Sequence, residues 1–154
     1  MLKLKLFKAY SLIEVLVVMA VFFMMGFLAL PAAIREIQIG RTDSFVKEIR
    51  SAILLTSQDA FSGKAQKSYG IALFNDHYTI FTGESLATAE ETLEIYADRT
   101  VTINTITLTG GTNEIVYSPN EIRPNVHGSF NVSDAYANYK FTLNREGLLI
   151  LERL

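Results

Sequence analysis

The sequence predicts an α+β protein, in which one long N-terminal helix packs on an antiparallel β-sheet or β-sandwich. Three observations predict this fold. Residues 15–34 carry no charged or strongly polar side chain. Apolar residues between Phe45 and Ala60 then recur at spacings of three and four, as on one face of a helix. From residue 63 onward the pattern changes to the alternation of strands, interrupted by short turns. We therefore expect a helix over 10–62 and a β domain over 63–154.

The apolar stretch is long enough to cross a membrane. At ~1.5 Å per residue, a helix of this length spans about 30 Å, which is the thickness of the hydrocarbon core of a bilayer. Lys3, Lys5 and Lys8 precede the stretch without any acidic residue among residues 1–9. By the positive-inside rule these lysines hold the N-terminus in the cytoplasm. We expect a single-pass segment over 12–34 in the cytoplasmic membrane, with the remainder of the chain outside the cytoplasm.

Three kinds of N-terminal segment share this outline: a secretory signal peptide, a plain signal anchor and a prepilin signal. A secretory peptide has an apolar region of roughly 7–15 residues followed by a cleavage site of small residues. Residues 28–33 offer such a site, although the apolar run is long for that purpose. A plain anchor explains the length but not Glu14. An acid inside a membrane helix costs roughly 2.5–3.5 kcal/mol near the centre, less at the end, and needs a partner.

The residues around Glu14 resemble the signature of type IV prepilins. Residues 8–15 read KAYSLIEV, with a small residue before the expected cut and a glutamate fifth after it. The family commonly has glycine where this chain has Ala9, and often phenylalanine where it has Tyr10. The resemblance implies a leader peptide over 1–9, cleavage between Ala9 and Tyr10, and N-methylation of Tyr10 by the same prepilin peptidase.

The resemblance covers residues 1 to about 35 and implies a pilin-like fold and a structural role. Within the family, the final strands joined by Asn-Arg-Glu-Gly are most similar to GspH/FimT-type minor pseudopilins. The implied function is a minor pilin or pseudopilin of a type IV pilus or a type II secretion-like filament, with a major pilin as the alternative. The implied partners are other pilin subunits, the prepilin peptidase/methyltransferase, an inner-membrane assembly platform, and membrane lipid before assembly.

Cleavage would supply the partner that Glu14 needs. A new α-amine on Tyr10 is mostly protonated at neutral pH. In apolar surroundings this amine and the Glu14 carboxylate are each costly alone and tolerable together. We hypothesise that Glu14 of an incoming subunit pairs with the Tyr10 amine of its neighbour and sets axial register. Pro31 falls where the family commonly places a helix proline. Together with Gly26 it marks either a bending point or ordinary membrane-helix composition.

The second half of the helix and the strands are predicted from periodicity. The apolar stripe of the helix comprises Phe45, Ile49, Ala52, Ile53, Thr56 and Ala60. Strands over 69–74 and 77–82 form a hairpin around Asn75-Asp76. Further strands are expected over 92–97, 100–108, 114–118, 129–132, 139–144 and 148–152. Val101, Ile103 and Thr105 alternate with their neighbours, which is typical of a half-buried antiparallel strand.

Composition argues against most catalytic and binding functions. Removing the three leader lysines from the 14 basic residues leaves 11 against 16 acidic ones, a net charge of −5. Such a domain lacks the basic stripe that nucleic acid requires, and we expect no specific nucleic-acid partner. The chain contains no cysteine, and His77 and His127 lack the spacing of a zinc site. We expect no metal, no cofactor and no catalytic residue, and therefore not an enzyme.

One rival function remains open. The chain would then be a membrane-anchored or exported β domain that binds a ligand or partner, with residues 1–34 serving only for export. This rival predicts that Glu14 is dispensable and that any cleavage falls near Ala33. The acidic cluster Glu90, Glu91 and Glu94 is interpreted as a solvated face under either function.

Overall fold

The computed structural model describes residues 11–154, which contain one long helix and two antiparallel sheets, so the α+β class is confirmed. The chain divides into two compact units, one ending at Ile37 and the other comprising Gln38–Leu154. Helix α1 runs over Leu12–Phe61 and contributes to both units. The predictions for Lys3, Lys5, Lys8, Ala9 and Tyr10 lie outside the described residues.

The first turn of α1 suits an acidic residue. The Glu14 amide donates to the Ser11 carbonyl oxygen at 2.9 Å, and the Val15 amide donates to the same oxygen at 3.3 Å. Glu14 stands in this turn, where the free amides of the helix end favour a negative charge. The helix then continues through the whole apolar stretch, including Pro31.

In the second unit, α1 buries the predicted apolar stripe. All six stripe residues are buried, and Val46 and the hydroxyl-bearing Thr42 are buried with them. The helix ends where Gly63 adopts a positive φ of 64°, a conformation that favours glycine. A Cβ added there would lie 2.5 Å from Asn120 Oδ1, so a side chain at this position would require the Asn120 side chain to move.

Eight strands form the two sheets in this part of the chain. The first sheet has the order β3-β2-β1-β5 and the second the order β4-β6-β7-β8, with antiparallel pairing throughout. All eight predicted strands are present, with ends that differ by one or two residues at most. They are β1 Tyr69–Leu73, β2 His77–Thr82, β3 Glu91–Tyr96, β4 Thr102–Leu108, β5 Glu114–Tyr117, β6 Gly128–Ser133, β7 Asn138–Leu143 and β8 Leu149–Arg153.

The core of the second unit combines residues of the helix with residues of both sheets. Ile49 and Ile53 of the helix share one buried cluster with Ile71 of the first sheet and Phe130 and Phe141 of the second. Phe130 and Phe141 face each other across β6 and β7 and stack with ring centroids 4.7 Å apart. Because burying one such side chain contributes about 1.5–3 kcal/mol, this cluster provides the main stabilisation of the unit.

Strand β4 departs from the regular alternation that its sequence predicts. Its pairing with β6 shifts between Asn104 and Thr107, and Thr105 has a φ of 51°. A β-branched residue rarely adopts this conformation. The bulge exposes Thr105 and turns Ile106 toward the core, so the alternation changes phase within the strand.

Candidate functional site

Glu14 lies on an apolar face of α1. Val15, Val18, Met19 and Phe22 surround it along one side of the helix. Its carboxylate makes no hydrogen bond or ion pair with any residue that the structure describes, and the next ionisable residues along the chain are Arg35 and Glu36. An acid with apolar neighbours and no partner among the described residues is suited to a partner on another molecule.

The large apolar side chains that the structure describes in this first unit face outward. Leu12, Phe22 and Phe27 are exposed to 80%, 70% and 81% of their surface. Helix α1 is long and apolar enough to span a membrane, with a mean hydropathy of 2.6 over its most apolar window. Leaving a side chain of this size in water costs about 1.5–3 kcal/mol, so burial of this surface in lipid or against other apolar helices is energetically favourable.

Pro31 and Gly26 both lie inside the helix. Pro31 has no amide hydrogen, so the Phe27 carbonyl oxygen lacks its usual donor four residues on. A Cβ added to Gly26 would meet nothing within 4 Å, which means that packing within the described chain does not require glycine here. Both interpretations of this stretch, a bending point and ordinary membrane-helix composition, therefore stay open.

Sequence reasoning missed a group of polar contacts where α1 enters the second unit. Three consecutive helix residues each bind a different loop or strand: Arg41 bonds Asp98 at 2.8 Å, Thr42 donates to Asp134 at 2.6 Å, and Asp43 accepts from the hydroxyl of Tyr139. The only signal in the sequence was the position of Thr42, one turn before Phe45 on the buried stripe.

Asp134 is the most fully satisfied carboxylate in this group. It accepts hydrogen bonds from the Thr42 hydroxyl and from the amides of Tyr136 and Ala137, the last two at 2.7 Å each. Burial alone would raise the pKa of Asp134, but the three hydrogen bonds outweigh burial and lower that pKa below its ordinary value. The contacts therefore hold one face of α1 against the second sheet.

The two histidines serve local packing. His77 stacks between Phe74 and Tyr96, with ring centroids 4.4 Å and 4.9 Å away, and its Nδ1 lies 2.7 Å from Asp76 Oδ1. His127 Nδ1 lies 3.0 Å from the Thr109 hydroxyl oxygen. The part of the chain that the structure describes holds no group of three His, Asp or Glu residues placed to bind a metal ion.

The acidic cluster belongs to the surface around β3. Glu90 forms an ion pair with Lys67, while Glu91 and Glu94 are exposed on the strand. Glu94 accepts a hydrogen bond from the Tyr96 hydroxyl at 2.7 Å. Glu90 precedes β3, and Glu91 and Glu94 lie on opposite faces of this strand, so the three carboxylates do not converge on one point.

No protein-family model matches this chain, and no curated protein and no solved structure matches it. The features that bear on function are therefore those of the chain itself. They are an acid with no partner among the described residues, the exposed apolar side chains of the first part of α1, and the continuation of that helix into an α+β unit.

Proposed function

We propose that this chain is a structural subunit, a minor pilin or pseudopilin, of a type IV pilus or a type II secretion-like filament. One observation carries the proposal: Glu14 stands near the start of α1, where the large apolar side chains of the helix are exposed, and it has no partner among the described residues. A lone carboxylate is expensive in lipid, so a membrane helix that retains one has a use for it.

The proposed cycle begins in the cytoplasmic membrane. Prepilin peptidase cuts between Ala9 and Tyr10 and methylates the new amine, which keeps its positive charge. The subunit then remains anchored by residues 12–34, with the β domain outside the cytoplasm. Glu14 of this subunit pairs with the Tyr10 amine of a subunit already in the filament. In apolar surroundings the two opposite charges are less costly as a pair than alone, and this draws the incoming helix into one axial register.

The exposed apolar side chains of the first unit provide the remaining driving force. In the membrane they contact lipid, and in the filament they contact the helices of neighbouring subunits. Lipid tails are as apolar as these side chains, so association depends on close packing and on polar pairs more than on the hydrophobic effect. The ion pair made by Glu14 therefore contributes strongly to which helix this subunit binds.

The proposed role is structural, and its partners are other pilin subunits, the processing peptidase and the inner-membrane assembly platform. A major pilin is the alternative within the same class of protein. The alternative from another class is an anchored or exported β domain that binds a ligand, for which Glu14 has no use.

The first test is mass spectrometry of the mature N-terminus, from the native host or after co-expression with a prepilin peptidase. We expect a chain that begins at N-methylated Tyr10. A chain that begins at Met1 or near Ile34 would reject the processing and favour the anchored or exported binding domain.

The second test separates the role of Glu14 from processing. We expect Glu14→Gln to be cut normally and to enter filaments at least about tenfold less, because the neutral amide leaves the neighbouring amine unpaired. Glu36→Gln is the matched control, since it removes an exposed acid from the same helix beyond the apolar stretch. Incorporation of Glu14→Gln at the level of Glu36→Gln would reject the proposed pair.

A further inference from the structure

Exposed apolar side chains of the β domain concentrate at two strand edges. From residue 69 to the C-terminus, the large apolar side chains with high exposure are Leu93, Tyr96, Ile122, Tyr136, Leu148, Ile150 and Leu154. Two of the seven belong to β3, and three belong to β8 or its immediate flanks. Leu93 and Tyr96 are 60% and 62% exposed, and Leu154 is 65% exposed. Exposed apolar side chains along unpaired strand edges favour association with another strand.

Both strands are open on one side. Among the described residues, β3 pairs only with β2, in regular register over six residues, and β8 pairs only with β7, in regular register over five. The other two edge strands are protected. β4 carries the bulge at Thr105 and donates from the Ile103 amide to the Asn75 carbonyl oxygen. β5 exchanges two hydrogen bonds with Asn125 through the amide and carbonyl oxygen of Val116.

The backbone directions restrict how the two open edges can pair. Hydrogen-bonded and non-bonded residues alternate along an antiparallel strand. The Ala97 amide donates to the Asp76 carbonyl oxygen, so odd-numbered residues of β3 bond to β2. The Leu154 amide donates to the Asn138 carbonyl oxygen, so even-numbered residues of β8 bond to β7. The outward backbone groups are therefore those of Thr92, Glu94 and Tyr96 on β3 and those of Leu149, Leu151 and Arg153 on β8.

Charge selects one antiparallel register among those that remain. Placing Glu94 opposite Arg153 also sets Tyr96 opposite Leu151, and no two like charges then face each other. Arg153 makes no ion pair with the described residues, and its guanidinium lies 5.6 Å from the centroid of the Tyr139 ring. Sliding β8 by two residues puts a neutral residue, Thr92 or Tyr96, opposite Arg153. The shift toward Thr92 pairs five residues of each strand instead of three but loses the ion pair between Glu94 and Arg153, so the two registers are distinguished by experiment below. The parallel pairing of greatest overlap instead places Glu94 opposite Glu152.

We propose that β3 of one copy of this chain pairs antiparallel with β8 of a second copy, with Glu94 opposite Arg153. This contact leaves β8 free on the first copy and β3 free on the second. Such head-to-tail contacts propagate into an open chain of subunits. The contact goes beyond the proposed function, because it assigns a surface to the β domains and requires neighbouring copies of this chain. It does not depend on Glu14.

Cysteine cross-linking tests the register directly, because the chain has no cysteine of its own. Ile95 and Glu152 would form a non-hydrogen-bonded pair with Cα atoms about 4.5 Å apart, within the range of a disulfide. Full-length Ile95→Cys and Glu152→Cys chains are mixed in lipid vesicles and oxidised. We expect a disulfide-linked heterodimer in the mixture, and a ladder of multimers from the chain that carries both substitutions.

Two control pairings define the outcomes. Ile95→Cys is also mixed with Tyr136→Cys, an exposed residue of the turn between β6 and β7, and with Ile150→Cys, which reports the register shifted by two residues. We expect at least severalfold more heterodimer for the 95–152 pair than for either control. A yield equal to the Tyr136 control, or lower than that of the 95–150 pair, would overturn the proposal. No assembly machinery is present, so the result is independent of whether Glu14 guides filament incorporation.

Charge reversal gives a second readout, in which the two cross-linking cysteines stay at positions 95 and 152. Glu94→Arg in the Ile95→Cys chain, or Arg153→Glu in the Glu152→Cys chain, should lower the cross-linking rate on the order of twofold to fivefold. Combining both reversals should restore the rate, and circular dichroism of each variant checks that the fold is intact. Single reversals that leave the rate unchanged, or a double reversal that fails to restore it, would contradict the pairing.

Discussion

The hydrogen bond between Thr42 and Asp134 offers a direct test of how α1 is held in the second unit. Thr42 is fully buried and donates to the Asp134 carboxylate at 2.6 Å. The change Thr42→Val keeps the shape of the side chain and removes only the donor. A hydrogen bond to a charged group contributes about 1.5–3 kcal/mol. Because two backbone amides still bind Asp134 in the variant, we expect the free energy of unfolding to fall by about 2 kcal/mol.

The assay is thermal unfolding of the full chain in detergent, followed by the near-ultraviolet circular dichroism of its tyrosines. For a unit of the size of residues 38–154, a loss of this magnitude lowers Tm by roughly 8 °C. Ser44→Ala is the matched control: it removes a side-chain hydrogen bond from the exposed side of the same helix, to the Gly40 carbonyl oxygen at 2.8 Å. We expect the control to change the free energy of unfolding by less than about 0.5 kcal/mol.

The pH dependence distinguishes this bond from ordinary packing. The pKa of Asp134 is lower in the folded protein than its ordinary value of 3.8. A lowered pKa means that the carboxylate stabilises the fold above the ordinary pKa, and that this stabilisation is lost as the pH falls through the lowered value. The loss of unfolding free energy caused by Thr42→Val should therefore be complete at pH 7 and become smaller below about pH 4. A deficit that is the same at both pH values, or no larger than that of Ser44→Ala, would refute the reasoning.

Other predictions follow from glycine packing and tyrosine burial. Gly70→Ala should lower the free energy of unfolding by about 1–3 kcal/mol, because its Cβ would lie 2.2 Å from the ring of Phe81. Gly40→Ala, whose Cβ would meet no described atom within 4 Å, should instead raise the free energy of unfolding by about 0.5–1 kcal/mol. Denaturant titration of both variants measures the two changes in this free energy. Burial raises the pKa of Tyr78 and of Tyr117 to about 12. Their neutral forms stabilise the fold below the ordinary pKa of 10, and this stabilisation is lost as the pH rises toward 12. An alkaline absorbance titration should find these two phenols ionising only with unfolding, and normal ionisation near pH 10 in the folded chain would contradict their burial.

The elements of this fold were predictable because their signals are local. The stripe from Phe45 to Ala60 follows from the repeat of the helix, and the hairpin between β1 and β2 follows from the two-residue turn at Asn75-Asp76. Each signal depends on residues that are close together along the chain. For the same reason the eight strands were located to within two residues, although nothing in their patterns states which strand lies beside which.

The candidate site likewise has features that the sequence predicts and contacts that it does not predict. The exposed apolar helix and the position of Glu14 follow from composition along one segment, because an isolated helix presents every side chain outward. The functional partners proposed for Ala9, Tyr10 and Glu14 come from a resemblance of motif and stay predictions. The contacts of Thr42 could not be predicted, since its partner Asp134 lies 92 residues further along the chain.

The sequence by itself determined the apolar span, the helical stripe and the sites of the strands, because hydrophobic periodicity and turn residues act over a few residues at a time. Tertiary structure alone decided that β5 lies beside β1 and β4 beside β6, and that the bulge at Thr105 changes the phase of β4. It also decided that β3 and β8 remain open. These outcomes depend on packing between residues that are distant in sequence, and periodic patterns along the chain do not predict such packing.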